Sequence, residues 1–256
     1  MRTTTGPLGA TRAAGGADSP LERARLLADE GARTLEGAPA EVVLAWAAKT
    51  FGGGLSVASS FEDLALVALA AEVSPGVEVV FIDTGAHFPE TWELVRLAEA
   101  QLAIRLVVLV PDPALPASPC GSPGCCEQRK VAPLARHLSG RAAWVTGLRR
   151  ADSPERRATP VVHFDERFAL VKVNPLVEWT EEDAQAFVAA RGLPSHPLRE
   201  KGYRSIGCAP TTAPVGPDEP ARSGRWRGQS RTECGLHLPP TGESGVDDQR
   251  GRDDAG

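Results

Sequence analysis

Val77-Glu78-Val79-Val80-Phe81-Ile82-Asp83-Thr84-Gly85 decides how this chain folds. Residues 77–83 read as one continuous apolar strand, the pattern of a strand covered on both faces within a parallel sheet. Asp83 and Thr84 close it at the carboxyl end, where open parallel sheets bind their ligands. On either side the chain keeps a strand–helix rhythm. Upstream, 38–51 is an amphipathic helix closed by Gly52-Gly53-Gly54, glycines suited to a helix end; 55–59 is a short strand and 62–71 a helix. Downstream come a helix over 89–102 with Pro89 at its start, a strand over 105–110, a helix over 126–137 and a strand over 142–146. Residues 161–164 and 169–173 look like a hairpin. Thr180 then caps a helix to 188, with Glu181, Glu182 and Asp183 at its positive end. From 192 to 238 the chain is rich in Gly, Pro and Arg without periodicity, and a long irregular segment, when ordered, usually serves function. The expectation is an α/β protein with a mostly parallel sheet flanked by helices.

At 256 residues the chain can bury one sizeable core. A net charge of -5 and a pI near 5.6 argue against a general nucleic-acid or membrane-surface binder. No apolar run approaches the roughly 20 residues of a membrane-spanning helix. Residues 1–19 lack the apolar centre of a signal peptide and read, like 239–256, as a disordered tail. The domain is expected over 20–238, with a mobile C-terminal segment over about 212–238. A cytoplasmic, reducing location follows, where cysteines more often serve metal or redox chemistry than structural disulfides.

Five cysteines are present: Cys120, the adjacent Cys125-Cys126, Cys208 and Cys234. Neighbouring Cα atoms lie about 3.8 Å apart, whereas a relaxed disulfide wants roughly 5.5–6 Å. The adjacent pair therefore offers its sulfurs to something else. It opens a helix that continues through Arg129 and Lys130, and a helix N-terminus with nearby positive charge favours thiolates. With Cys208, in Gly207-Cys208-Ala209-Pro210-Thr211, at least three thiolates could surround an iron–sulfur or zinc centre; inert buried cysteines are the bland alternative. Cys234 stands apart, in the polar Glu233-Cys234-Gly235-Leu236-His237, well placed to meet a partner. Ser59 and Ser60 follow the first strand and Asp83-Thr84 the second, so two polar strand ends converge on one edge as a nucleotide pocket would require. His87 reads as structural or capping. Arginines gather in Gly147-Leu148-Arg149-Arg150, Arg156-Arg157 and Arg222-Ser223-Gly224-Arg225, where guanidinium groups could clamp a phosphate or sulfate. For any one arginine, solvated surface charge competes with that reading.

Ile82-Asp83-Thr84-Gly85 with His87-Phe88-Pro89-Glu90-Thr91, Cys125-Cys126 with Arg129-Lys130, Trp144-Val145-Thr146-Gly147-Leu148-Arg149-Arg150, and Glu233-Cys234-Gly235-Leu236-His237 together resemble the assimilatory sulfonucleotide reductases, most of all the bacterial adenylylsulfate (APS) reductases. The resemblance covers roughly residues 38–238. It implies a Rossmann-like adenine nucleotide α-hydrolase fold and a mechanism in which the Cys234 thiolate attacks the sulfur of adenylylsulfate, releasing AMP and leaving an S-sulfocysteine. Thioredoxin or a similar dithiol then releases sulfite. By the same matching, Lys130, Arg222, Arg225, His237 and, more weakly, Arg157 hold the phosphosulfate, while Ser59, Ser60, Thr84 and Gly147 line the nucleotide pocket. The resemblance further implies a 4Fe-4S cluster on Cys-Cys and a later Cys-x-x-Cys, a set that accompanies adenylylsulfate rather than phosphoadenylylsulfate as substrate. Here Cys125, Cys126 and Cys208 match, but Thr211 stands where the fourth cysteine belongs. Cys120 offers a substitute donor to which the family pattern gives no role.

Two rivals remain at this level, besides a phosphoadenylylsulfate reductase. An ATP pyrophosphatase would carry Ser-Gly-Gly-x-Asp-Ser, and the corresponding turn here is Ser59-Ser60-Phe61-Glu62-Asp63, with a bulky Phe and a carboxylate in place of the glycines. A non-catalytic, cluster-binding relative would have no reason to keep Cys234 beside Gly235-Leu236-His237. Self-association is left open.

Overall fold

The computed structural model describes residues 19–114, 118–229 and 233–237. Its strands are Leu55–Ala58 (β1), Val77–Ile82 (β2), Ile104–Leu109 (β3), Ala143–Thr146 (β4), Val162–Asp165 (β5) and Leu170–Val173 (β6). They form one sheet in the order β3-β2-β1-β4-β6-β5, parallel throughout except for the hairpin of β5 on β6. The chain builds outward from β1 through β2 to β3, then returns to the other side of β1 with β4. Strand order thus reverses between β1 and β4, the place where such sheets leave a crevice beyond their carboxyl ends. Ala58 lies opposite Thr146 across that pair, so Ser59 and Gly147 leave the sheet side by side.

The helices are Pro20–Leu35 (α1), Ala40–Phe51 (α2), Ala65–Val73 (α3), Pro89–Gln101 (α4), Ala132–Leu138 (α5) and Glu181–Ala190 (α6). Alternation along the strands sends Val57, Val79, Phe81 and Val145 to one face, where they join residues of α1, α2, α3, α4 and α6 in the larger core. The other face carries Val80, Trp144 and Leu170 against Leu134 and Leu138 of α5, with Leu236 packed at the edge of that smaller cluster.

The structure departs from the sequence reading in three places. Helix α1 was not anticipated, because its buried face is Ala28, Gly31 and Leu35, too small to register as an apolar stripe. Its start was nonetheless written in the sequence: Ser19, assigned to the tail, caps it in a reciprocal box with Glu22, ahead of Pro20. The rest of the expected tails, 1–18 and 239–256, lies outside the described residues. The helix expected over 126–137 is a π-helical turn, Glu127–Val131, followed by α5. Pro133 has no amide to give the Arg129 carbonyl, and there the backbone widens. Finally, the apolar strand is broken by Glu78, which is 4% exposed. Its carboxylate accepts from Ser56 at 2.7 Å, His137 at 2.8 Å, and Arg105 and Arg141 at 2.6 Å each.

Burial works to raise the Glu78 pKa, but the hydrogen bonds from Ser56, Arg105 and His137 prevail and hold it below the ordinary 4.5. A carboxyl depressed by folding gives stability that is present above its unfolded pKa and lost as pH falls through its folded one. Glu78→Ala is expected to cost about 2–4 kcal/mol at neutral pH, because it strands Ser56, His137 and Arg141. The penalty should shrink towards about pH 3. Urea unfolding at both pH values checks this; a midpoint equal to that of the unsubstituted protein would refute it.

Candidate active site

The turn after β1 sets the floor of the site. Ser59 donates its amide to the Val80 carbonyl at 3.1 Å and accepts the Phe61 amide on its hydroxyl at 3.1 Å. Phe61 takes a left-handed conformation (φ 55°) and is wholly buried, edge-on to Phe81 with centroids 5.5 Å apart. Few non-glycine residues accept that backbone region; the buried ring holds this one there. The turn presents Ser59, Ser60, Glu62 and Asp63 to a cleft above β1 and β4, which Gly147 and Leu148 close from the other side.

Among the described residues, five cationic side chains line this cleft (Lys130, Arg149, Arg156, Arg222 and Arg225) against four carboxylates (Glu62, Asp63, Asp152 and Glu233). Most of the charge is already paired. Arg149 reaches Asp152 at 2.8 Å and Asp63 at 3.5 Å. Arg156 grips both oxygens of Glu233 at 2.7 and 2.9 Å and reaches Asp152 at 2.8 Å, while Arg222 meets Glu233 at 3.1 Å. Glu233, 5% exposed, thus sits between two guanidinium groups as a bound anion would. Arg225 crosses directly over Gly207, where any Cβ would collide with the guanidinium, and lies over the Trp226 ring at 4.6 Å.

Residues 233–237, expected in a mobile segment, are seated in this cleft. Leu236 packs on the smaller core, and the His237 ring lies parallel to Trp144 at 6.2 Å. Lys172 approaches His237 Nδ1 at 3.4 Å. Burial, then the neighbouring Lys172 and Arg156, depress the His237 pKa well below its ordinary value, so the ring is neutral. Burial likewise brings Lys172 down to about 8. Cys234 is held half-buried between these anchors, facing the cleft.

Behind Lys130 lies a second, narrower cavity lined by Cys120, Cys125, Cys126, Cys208 and Thr211. Lys130, Arg225 and Trp226 border both spaces. Burial opposes the Lys130 ammonium, yet the sulfurs of Cys234 and Cys208 hold its pKa above the ordinary value. Burial also opposes ionisation of Cys208, but Lys130 and hydrogen bonds from Thr84 and Cys120 more than compensate, and its thiol lies below the ordinary value. No group of three His, Cys, Asp or Glu among the described residues closes to the spacing of a single metal ion. A four-iron cluster makes a different demand, because each thiolate binds its own iron at a separate corner. Four thiols around one cavity, beside a lysine, fit that donor set.

The expected site residues distribute as follows. Ser59, Ser60, Lys130, Gly147, Arg222, Arg225, Cys234 and His237 meet at the cleft, and Cys125, Cys126 and Cys208 meet behind it. Thr84 is buried away from the cleft lining, its hydroxyl 3.5 Å from Cys208 Sγ. Arg157 is exposed and stands outside the lining, where its neighbour Arg156 stands instead. The Arg-Arg pair was visible in sequence, but choosing between its members needed the short helical turn at 154–156. Trp144, Trp226 and the anion-like role of Glu233 were not foreseen.

A parallel sheet with a cation-lined cleft at its reversal point, and a thiol turned into that cleft, defines a nucleotide-binding protein equipped for sulfur chemistry. Comparison with known proteins agrees. Residues 54–214 match the phosphoadenosine phosphosulfate reductase domain. The adenosine 5'-phosphosulfate reductase of Mycobacteroides abscessus is 46% identical over 226 residues, 85% of this chain and 95% of that protein; its Streptomyces coelicolor namesake is 44% identical over 84% of this chain and 95% of its own length. A phosphoadenylyl-sulfate reductase from Candida auris, solved as a phosphate complex, superposes with a TM-score of 0.62 at 29% identity, over 73% of this chain and 96% of that one. The chain belongs to the phosphoadenosine phosphosulfate reductase family.

Since Glu233 occupies Arg156 and Arg222, a bound anion must displace it. Glu233→Gln is expected to bind AMP about fivefold more tightly, the worth of roughly 1 kcal/mol of charge competition. Titration calorimetry reads this directly, and unchanged or weaker binding would remove these arginines from the anion site.

Proposed function

We propose that this protein reduces adenylylsulfate to sulfite and AMP, with Cys234 as nucleophile and a dithiol protein of the thioredoxin kind as reductant, in the cytoplasm. The observation that carries the proposal is the half-buried Cys234 thiol facing a cation-lined cleft at the reversal point of the sheet. Adenosine would lie over the strand ends at Ser59, Ser60 and Gly147. Lys130, Arg222, Arg225 and Arg156 would surround the phosphosulfate; Arg156 takes the place expected for Arg157.

The Cys234 thiolate attacks the sulfur of the phosphosulfate. An S–S bond forms, the S–O bond to phosphate breaks, and AMP leaves with that electron pair. Guanidinium and ammonium groups offset the charge gathering on the leaving phosphate, and neutral His237 adds no proton that would quench the thiolate. A thiolate of the reductant then attacks Sγ of Cys234, expelling sulfite with the electron pair of the S–S bond. The second thiol of the reductant resolves the mixed disulfide, so two electrons pass from dithiol to sulfur and Cys234 is regenerated.

Cys125, Cys126 and Cys208 would hold a 4Fe-4S cluster; the negative charge of its thiolates is what it supplies, steadying the Lys130 ammonium at the edge of the cleft. Adenylylsulfate is preferred as substrate because relatives 44–46% identical to this chain bear that name and because the thiol cavity is present. The Candida auris likeness supports phosphoadenylylsulfate as the second reading, and a sulfite assay with both nucleotides separates the two.

Cys234→Ser should reduce sulfite release by at least about a thousandfold, since the covalent route is lost, while AMP binding stays within about twofold. Incubating the unsubstituted protein with adenylylsulfate and no reductant should add about 80 Da, one SO3, to the chain. Turnover persisting in the Ser variant, or an adduct on another cysteine, would remove the proposed nucleophile.

A further inference from the structure

We infer that Cys120, rather than residue 211, supplies the fourth thiolate of the cluster site. This rests on the proposed cluster and concerns which side chains of this chain complete it. Thr211 fills the sequence position of the missing ligand but offers little there. Its hydroxyl is turned to the Cys208 carbonyl at 3.3 Å. Its methyl faces the turn that carries Cys120: a Cβ on Gly121 would lie 3.0 Å from Thr211 Cγ2. A neutral hydroxyl is also a hard donor, ill matched to iron already held by sulfur.

The turn over residues 119–125 is shaped to bring Cys120 into the same space. Ser122 donates its amide to the Pro119 carbonyl at 3.1 Å, and Cys125 donates to Ser122 at 3.2 Å. Gly121 adopts φ +94°, which reverses the chain directly after Cys120. Its amide then points to Cys125 Sγ at 3.3 Å, the kind of N–H···S contact that steadies cluster sulfurs. Cys120 lines one cavity with Cys125, Cys126 and Cys208 and hydrogen-bonds the Cys208 sulfur. The space freed by a missing cysteine at 211 is therefore served by a thiol entering from the opposite wall. On ligation each of the four thiols gives up its proton and gains an S–Fe bond.

The test is iron and sulfide analysis on protein purified without oxygen, or reconstituted with ferrous iron and sulfide, together with absorbance near 400 nm and electron paramagnetic resonance. The unsubstituted chain should hold about four irons, and Thr211→Val should match it. Cys120→Ser should lose most of the iron or stop at a three-iron centre. The double variant Cys120→Ser/Thr211→Cys should regain the full complement, which shows that the thiol and not the turn was lost. A full cluster in Cys120→Ser, iron loss in Thr211→Val, or a double variant that stays empty would each overturn the inference. So would an unsubstituted chain without iron; sulfite release dependent on Cys234 in that same protein would leave the reductase reading standing.

Discussion

Lys130 is the charge on which both halves of the site depend. It stands in the wall between the cleft and the cysteine cavity, and an ammonium drawn out of water needs negative partners to remain charged. Here the partners are sulfurs on two sides, Cys234 and Cys208. The side chain reaches this wall because it lies in a π-helical turn, a wider coil often found at functional sites. In that turn Arg129 is tied to the carbonyls of Thr84 and Ser118. The loop after β2, the cysteine turn and Lys130 are thereby braced together in the wall that the two cavities share.

The cleft itself is nearly balanced in charge, which explains how an acidic protein keeps an arginine-rich site folded. Arg149 is committed to Asp152 and Asp63 and serves the architecture. Arg156, also paired with Asp152, and Arg222 meet Glu233, next to Cys234 in sequence. A carboxylate and a thiol thus share one short segment, and the ion pairs of Glu233 with Arg156 and Arg222 fix where that segment sits in the cleft. At the same cleft, desolvation pushes the Glu62 carboxyl up against the pull of Arg149, Arg199 and Arg225.

Where long apolar periodicity or strand-end chemistry carried the signal, the sequence was readable. The strands were placed to within a residue or so, and Ser59 and Gly147 meet at the cleft, as their position at strand ends suggested. What escaped was encoded by other means. Helix α1 buries small residues, and Glu78 hides a charge inside a run that otherwise reads as apolar. The preference for Arg156 over Arg157 is a matter of phase in one short turn, which no residue count reveals. The closeness of Cys120 to Cys208 depends on two irregular segments 88 residues apart in sequence, neither of which has a period to read.

Phe61 shows how one buried ring fixes the turn that floors the cleft. Its φ of 55° is a conformation glycine adopts freely, yet here a bulky side chain takes it. The ring, packed against Phe81, makes that shape affordable at a cost of order 1–3 kcal/mol. Glu62 follows at once and faces the same cleft. The turn thereby places carboxyl groups rather than glycine amides beside the ends of β1 and β4. Lys130 and Arg156 lie close enough to Cys234 to act on its charge, so the attraction for an anion is greatest in that part of the cleft.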